Sequence, residues 1–82
     1  MANKQEITKT EARILVFLTN VKNGYRFAGV MASKLQVDYG YILRILAQMR
    51  MKKWLRVERY ALKKYYFLTR KAPIKKAKEL LK

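Results

Sequence analysis

The spacing of apolar residues changes period along the chain, and each change marks an element. Ile7 stands just before Thr8-Lys9-Thr10-Glu11, which has the S/T-x-x-E form of a capping box preceded by a hydrophobic staple. Ile14, Leu15, Phe17, Leu18 and Val21 then share one helical arc, and Asn23-Gly24 supplies a stop signal. This predicts a first helix over about residues 9–22. Val16, with Ala12 beside it, lies on the other side of that arc. A helix apolar on both sides is expected to be covered twice, by its own core and by either the C-terminal helix or a second subunit.

Tyr25-Arg26-Phe27 reads as a bridge strand or a loop. Phe27, Val30, Met31 and Leu35 carry the helical spacing of a second helix over Ala28 to Leu35, which Gly29 weakens by up to about 1 kcal/mol. Gln36-Val37-Asp38 is a three-residue link in which Asp38 is a natural N-cap. A third helix follows from about Tyr39 to Lys52, with Ile42, Ile45, Leu46 and Met49 as its inward stripe. Two helices joined by so tight a turn describe a helix-turn-helix. Beyond Lys53 the period shortens. Leu55-Arg56-Val57-Glu58 alternates and Lys64-Tyr65-Tyr66-Phe67-Leu68 is rich in strand-favouring aromatics, so the pair predicts a hairpin looped through Arg59 to Lys63. Thr69 is the expected cap of a last helix, with Pro73 in its first turn. Ile74, Ala77, Leu80 and Leu81 form one side of that helix, while Lys75, Lys76 and Lys78 read as a solvated face.

Composition narrows the function. The 82 residues contain no Cys and no His, which removes disulfides, thiolate zinc sites, Cys nucleophiles and the commonest general base. Five acids leave little for hydrolytic or metal chemistry, so no catalytic, cofactor or metal site is expected. The longest apolar run, Ile14 to Leu18, is five residues, against the roughly 20 needed to span a membrane. With no export signal, a cytoplasmic and nucleoid-associated protein is the expectation. Net charge is +15 and unevenly placed: residues 1–41 carry six basic groups and three acids, residues 42–82 carry 14 and two. Such a field draws polyanions, nucleic acid first and an anionic membrane second.

Four segments in order resemble the winged helix-turn-helix DNA-binding domains, and among them the small MarR- and PadR-like regulators common in archaea and their plasmids and viruses. Ile7-Thr8 with Glu11 and Ile14-Leu15 is similar to the first-helix pattern "LT..E..IL", and Val37 to Leu46 resembles the turn and recognition helix "VS..TVSR.L". Met49 to Leu55 resembles "LEKKGWI", and Tyr66-Phe67-Leu68-Thr69 the "Y.LT" that closes the wing. The resemblance implies an α+β, mostly helical fold: three helices, a two-stranded β-hairpin wing and a short C-terminal helix. It covers about residues 7–81, in a single domain of 82 residues whose first six form a flexible tail. Lys53 departs from the pattern, standing where the family has Gly, and the hairpin tip Tyr60-Ala61-Leu62 lacks Gly as well.

The outward face of the third helix is Tyr39, Gly40, Tyr41, Leu43, Arg44, Ala47 and Gln48. In the major groove of double-stranded DNA, Arg44 can grip guanine and Gln48 can read adenine. Gly40 would let backbone approach, and Tyr39 and Tyr41 offer hydroxyls to phosphates; the plainer reading is a pair of exposed residues at a helix start. Arg56, Arg59, Lys63 and Lys64 make the hairpin cationic, suited to phosphates or the minor groove, or simply a solvated strand edge. Lys34, with Arg26 and Ser33, is a further phosphate candidate.

The expected function is sequence-specific duplex binding by a transcriptional regulator acting through operator occupancy. Non-specific architectural coating of DNA is the alternative. A protein-interaction module and an RNA-binding platform on the hairpin aromatics are the other classes in view. A homodimer through helix 1 (Val16, Ala12) and the C-terminal helix (Leu80, Leu81) would set recognition helices one DNA turn apart.

Overall fold

Thr8 and Glu11 close their capping box reciprocally: the Thr8 hydroxyl accepts from the Glu11 N–H at 3.1 Å, and the Glu11 carboxylate accepts from the Thr8 N–H at 2.9 Å. The structure, a computed structural model, describes residues 7–82; the expected tail at residues 1–6 lies outside them. Helix α1 runs Lys9–Asn20, α2 Ala28–Leu35 and α3 Tyr39–Met51. Strands β1 (Leu55–Tyr60) and β2 (Lys63–Leu68) form the antiparallel hairpin, and α4 spans Ile74–Leu80. Three helices, a two-stranded wing and a short last helix are the architecture that the spacing predicted.

Helix α1 ends two residues before the expected limit. Thr19 Oγ1 donates to the Val16 carbonyl at 2.6 Å, and Asn20 Nδ2 reaches the same oxygen at 3.4 Å. Such side chains compete with the helical ladder, and Val21 is already extended. Of the two readings of Tyr25 to Phe27, the loop is nearer: a 3-10 turn covers Asn23–Tyr25. Yet the Tyr66 N–H donates to the Arg26 carbonyl at 2.8 Å, so the segment is tied to β2 by one sheet-like bond.

Both helices of the helix-turn-helix stop in the same way, with a left-handed residue that is not glycine. Gln36 has φ 56°, and the Val37 N–H returns to the Ala32 carbonyl at 3.0 Å. Lys53 has φ 68°, and the Trp54 N–H returns to Met49 at 3.0 Å. These are Schellman closures, which satisfy the orphan carbonyls of a helix end. The Thr69 hydroxyl donates to the Lys53 carbonyl at 2.6 Å and so holds the second closure from the far end of the hairpin. The sequence expectation that Thr69 caps α4 therefore does not hold; Pro73, expected in the first turn of that helix, is instead its N-cap residue. Lys53→Gly is expected to stabilise the fold by about 0.5–1 kcal/mol, the left-handed strain relieved less the extra unfolded freedom of glycine. Thermal unfolding should shift upward by about 2–8 °C.

The hairpin is longer and its turn tighter than predicted. Arg59 pairs with Lys64 and Tyr60 with Lys63, leaving a two-residue turn of Ala61 and Leu62. Ala61 carries the positive φ of 57° that this turn demands. The added pairs bring Tyr60 and Tyr65 edge to face at 5.6 Å.

Ile14, Leu15 and Leu18 of α1, Met31 of α2, and Ile42, Leu46 and Met49 of α3 are wholly buried; Trp54, just before the hairpin, and Leu55 and Tyr66 within it join them. Burying each large apolar side chain contributes about 1.5–3 kcal/mol. Helix α4 packs on α1, Ala77 is fully buried, and Ala12 has no exposure at all. The second cover of α1 is thus its own C-terminal helix. Ala12 cannot serve as the open dimer surface expected of it; Val16 and Leu81 are partly buried too, and only Leu80 stays exposed.

Candidate nucleic-acid interface

Asp38 starts α3, its carboxylate accepting from the Tyr41 N–H at 3.2 Å. The end of α2, just before the turn into α3, is held to α1, because Arg13 Nη2 donates to the Leu35 carbonyl at 2.6 Å. With Ile42, Ile45, Leu46 and Met49 turned into the core, the opposite face of α3 is left to solvent. Tyr39 is 54% exposed and Tyr41 43%, and Gly40, Arg44, Ala47 and Gln48 are exposed as well. Gly40 has a reason of its own within the chain: a Cβ there would stand 3.2 Å from the Asp38 carboxylate. Its absence of a side chain clears the N-cap, whatever approaches from outside.

The four hairpin cations do not form one set. Register places Arg56 opposite Phe67 and Tyr60 opposite Lys63 on one face, and Arg59 opposite Lys64 on the other. Arg56 is paired with Glu58 at 3.0 Å and lies 5.1 Å over the Phe67 ring. Glu58 also accepts from the Tyr60 hydroxyl, which raises that group above the usual tyrosine value. Lys63 sits 4.2 Å over Phe27. Arg59 and Lys64 continue the face of the buried Tyr66 out towards the tip, where Leu62 is fully exposed. Burial pushes the Tyr66 hydroxyl upward, against the pull of the nearby Arg50 charge.

Arg26 is engaged inside the fold. Its Nη1 donates to the Leu18 carbonyl and its Nε to Asn23 Oδ1, each at 3.0 Å, and its guanidinium lies 5.0 Å over Phe67. Burial lowers its pKa from the usual arginine value. This occupancy removes it from the phosphate candidates. Lys34 is exposed but lines a separate concavity with Phe17, Val21 and Tyr25.

Between the start of α3 and the hairpin runs an open groove of about 500 Å³, lined by Phe27, Gly29, Tyr39, Leu43, Leu62, Lys63, Lys64 and Tyr66. It brings together Tyr39, Lys63 and Lys64 of the residues expected to bind. It also adds Leu43 and Leu62, to which the sequence reading assigned no role. Both are apolar and exposed, and the signal that could have found Leu43 was its place on the outward arc. Among the described residues only two ion pairs form, Glu11 with Lys52 and Glu58 with Arg56. The rest of the excess positive charge is uncompensated by carboxylates, and its field extends into solvent.

Of the hairpin aromatics only Tyr60 is exposed, and its ring meets Tyr65 edge to face. Tyr66 is buried, Tyr65 meets Phe27 edge to face at 5.9 Å, and Phe67 lies against two guanidinium groups. Trp54 is buried as well. No cluster of three potential metal ligands occurs among the described residues, and none of their helices is long and apolar enough to cross a membrane.

No family model matches the chain, and no curated protein matches it either. Among solved structures, the chain is similar to a single-residue variant of ZitR from Lactococcus lactis, with a TM-score of 0.76 and 21% sequence identity. The match covers 99% of this chain and 55% of that one, so the chain spans little more than half the length of its structural neighbour. At that identity the likeness speaks to architecture alone, and together with the element order described above it gives the fold: a winged helix-turn-helix.

Proposed function

We propose that this chain is a sequence-specific, double-stranded DNA-binding regulator that acts by occupying its operator, in the manner of the small MarR- and PadR-like proteins its motifs resemble. The observation that carries the reading is the outward face of α3. Arg44, Gln48, Tyr39 and Tyr41 stand free of the core beside a cationic hairpin, and few acids offset them. A helix of this kind fits the major groove, where Arg44 and Gln48 would meet base edges; Arg59, Lys63 and Lys64 would meet phosphates or the minor groove. Arg56 and Lys34 would play lesser parts, the first being paired and the second lying on another concavity. The role asks for no cofactor, metal or catalytic group, treats the chain as one DNA-binding domain, and would place it on the nucleoid in the cytoplasm.

The test is selection of bound duplexes from a random pool at physiological salt, followed by footprinting of the winning site. A preferred site is the expected result. If it is a palindrome with half-sites about 34 Å apart, it also supports a two-fold dimer. Equal affinity for all duplexes would refute regulation and leave the architectural reading, which the charge concentrated in residues 42–82 favours. Lys64→Ala is expected to weaken binding to every sequence alike and to lower the salt slope by about one, measured by titration across salt concentrations.

A further inference from the structure

The outward face of α3 is divided lengthwise. Tyr39, Leu43 and Ala47 recur every four residues and make one ridge; Gly40, Arg44 and Gln48, at the same interval, make the next. All six are exposed. The first ridge is apolar past the Tyr39 hydroxyl and lies on the hairpin side, because Tyr39 and Leu43 line the groove with Leu62 and Lys64. The second is polar and carries the groups that exchange hydrogen bonds. A residue with only methyl groups to offer, exposed on the face proposed to meet DNA, has one complementary feature in the major groove: the C5-methyl of thymine.

We propose that Leu43, with Ala47 one turn on, is a specificity-determining residue that reads thymine methyls on the hairpin side of the recognition helix. The proposal rests on the DNA-binding reading above and adds to it the identity of bases that the hydrogen-bonding residues do not report. Leu43 is 39% exposed, a side chain half seated on the protein with its remaining surface turned outward. Closing that surface against a methyl removes apolar area from water on both partners, and each methyl so buried is worth about a fourfold change in affinity. Binding should accordingly favour sites in which thymines flank the base pairs contacted by Arg44 and Gln48.

The experiment replaces thymine by deoxyuridine, one position at a time, in the selected duplex, which deletes a single methyl and leaves the pairing intact. Wild-type protein is expected to lose about fourfold at one or two positions inside the footprint and nothing outside it. Leu43→Ala should bind the unmodified site more weakly and show no further loss when the matching methyl is deleted. Arg44→Ala should keep the methyl sensitivity intact. Uniform indifference of the wild-type protein to deoxyuridine, a selected site without thymine in the footprint, or a Leu43→Ala protein as methyl-sensitive as wild type would each overturn the proposal. The deoxyuridine series uses wild-type protein, so it does not depend on how a variant folds. Failure of the DNA-binding reading looks different, since no preferred duplex would emerge from the selection at all.

Discussion

Glu11→Ala is expected to cost about 1.5–3 kcal/mol of stability, through the loss of two hydrogen bonds to a buried carboxylate. Glu11 is only 2% exposed, and both of its carboxylate oxygens are used. One accepts from the Thr8 N–H; the other meets Lys52 Nζ at 2.8 Å, across 41 positions of sequence. The same ammonium lies 4.4 Å over the Trp54 ring. Alanine would remove half of the capping box and release the cation that joins the start of α1 to the end of α3. For a domain of this size the midpoint of thermal unfolding should fall by about 6–24 °C. Glu11→Gln keeps an acceptor for Thr8 and should lose less. A double-mutant cycle with Lys52→Met, which retains the aliphatic stem, measures the pair itself; a coupling near zero would show that Glu11 acts only as a cap.

Arg44→Ala should weaken binding to the selected site by about 1–3 kcal/mol, roughly five- to 150-fold, and relax discrimination at one base pair. Arg44 is exposed, makes no ion pair among the described residues, and stands on the polar ridge one turn before Gln48. Its removal therefore leaves the fold alone, which circular dichroism can verify. Arg44→Lys separates charge from geometry: lysine keeps the phosphate attraction but lacks the planar fork that grips guanine O6 and N7. The lysine variant should recover affinity for random duplex and not the preference. If Arg44→Ala lowers affinity for all sequences equally, Arg44 is a backbone contact and base reading must lie elsewhere on α3.

Much of this fold was legible because local and global signals agree. The capping box, the stripe of Ile42, Ile45, Leu46 and Met49, and the Asp38 cap each specify structure within a turn of helix, and all appear in the structure as expected. What escaped the sequence depends on partners far along the chain. Thr69 looks like a helix cap until the Lys53 carbonyl, 16 residues away, claims its hydroxyl. Ala12 suits a second subunit and the C-terminal helix alike until α4 folds over it. The candidate interface divides in the same way. The outward arc of α3 follows from periodicity alone, whereas the engagement of Arg26, Arg56 and Lys63 with aromatic rings could not be read before the hairpin was docked.

The main-chain bond from Tyr66 to Arg26, the Arg26 guanidinium over the Phe67 ring, and the Phe27 ring against Tyr65 and Lys63 tie the hairpin to the body. These contacts hold the wing against the body beside α3. Little ordering entropy would be lost if both it and α3 engaged a duplex, and the gap between them would then work as a caliper. A sequence whose groove width does not match that gap would have to deform to be held, so the stiffness of the DNA itself enters the choice of site.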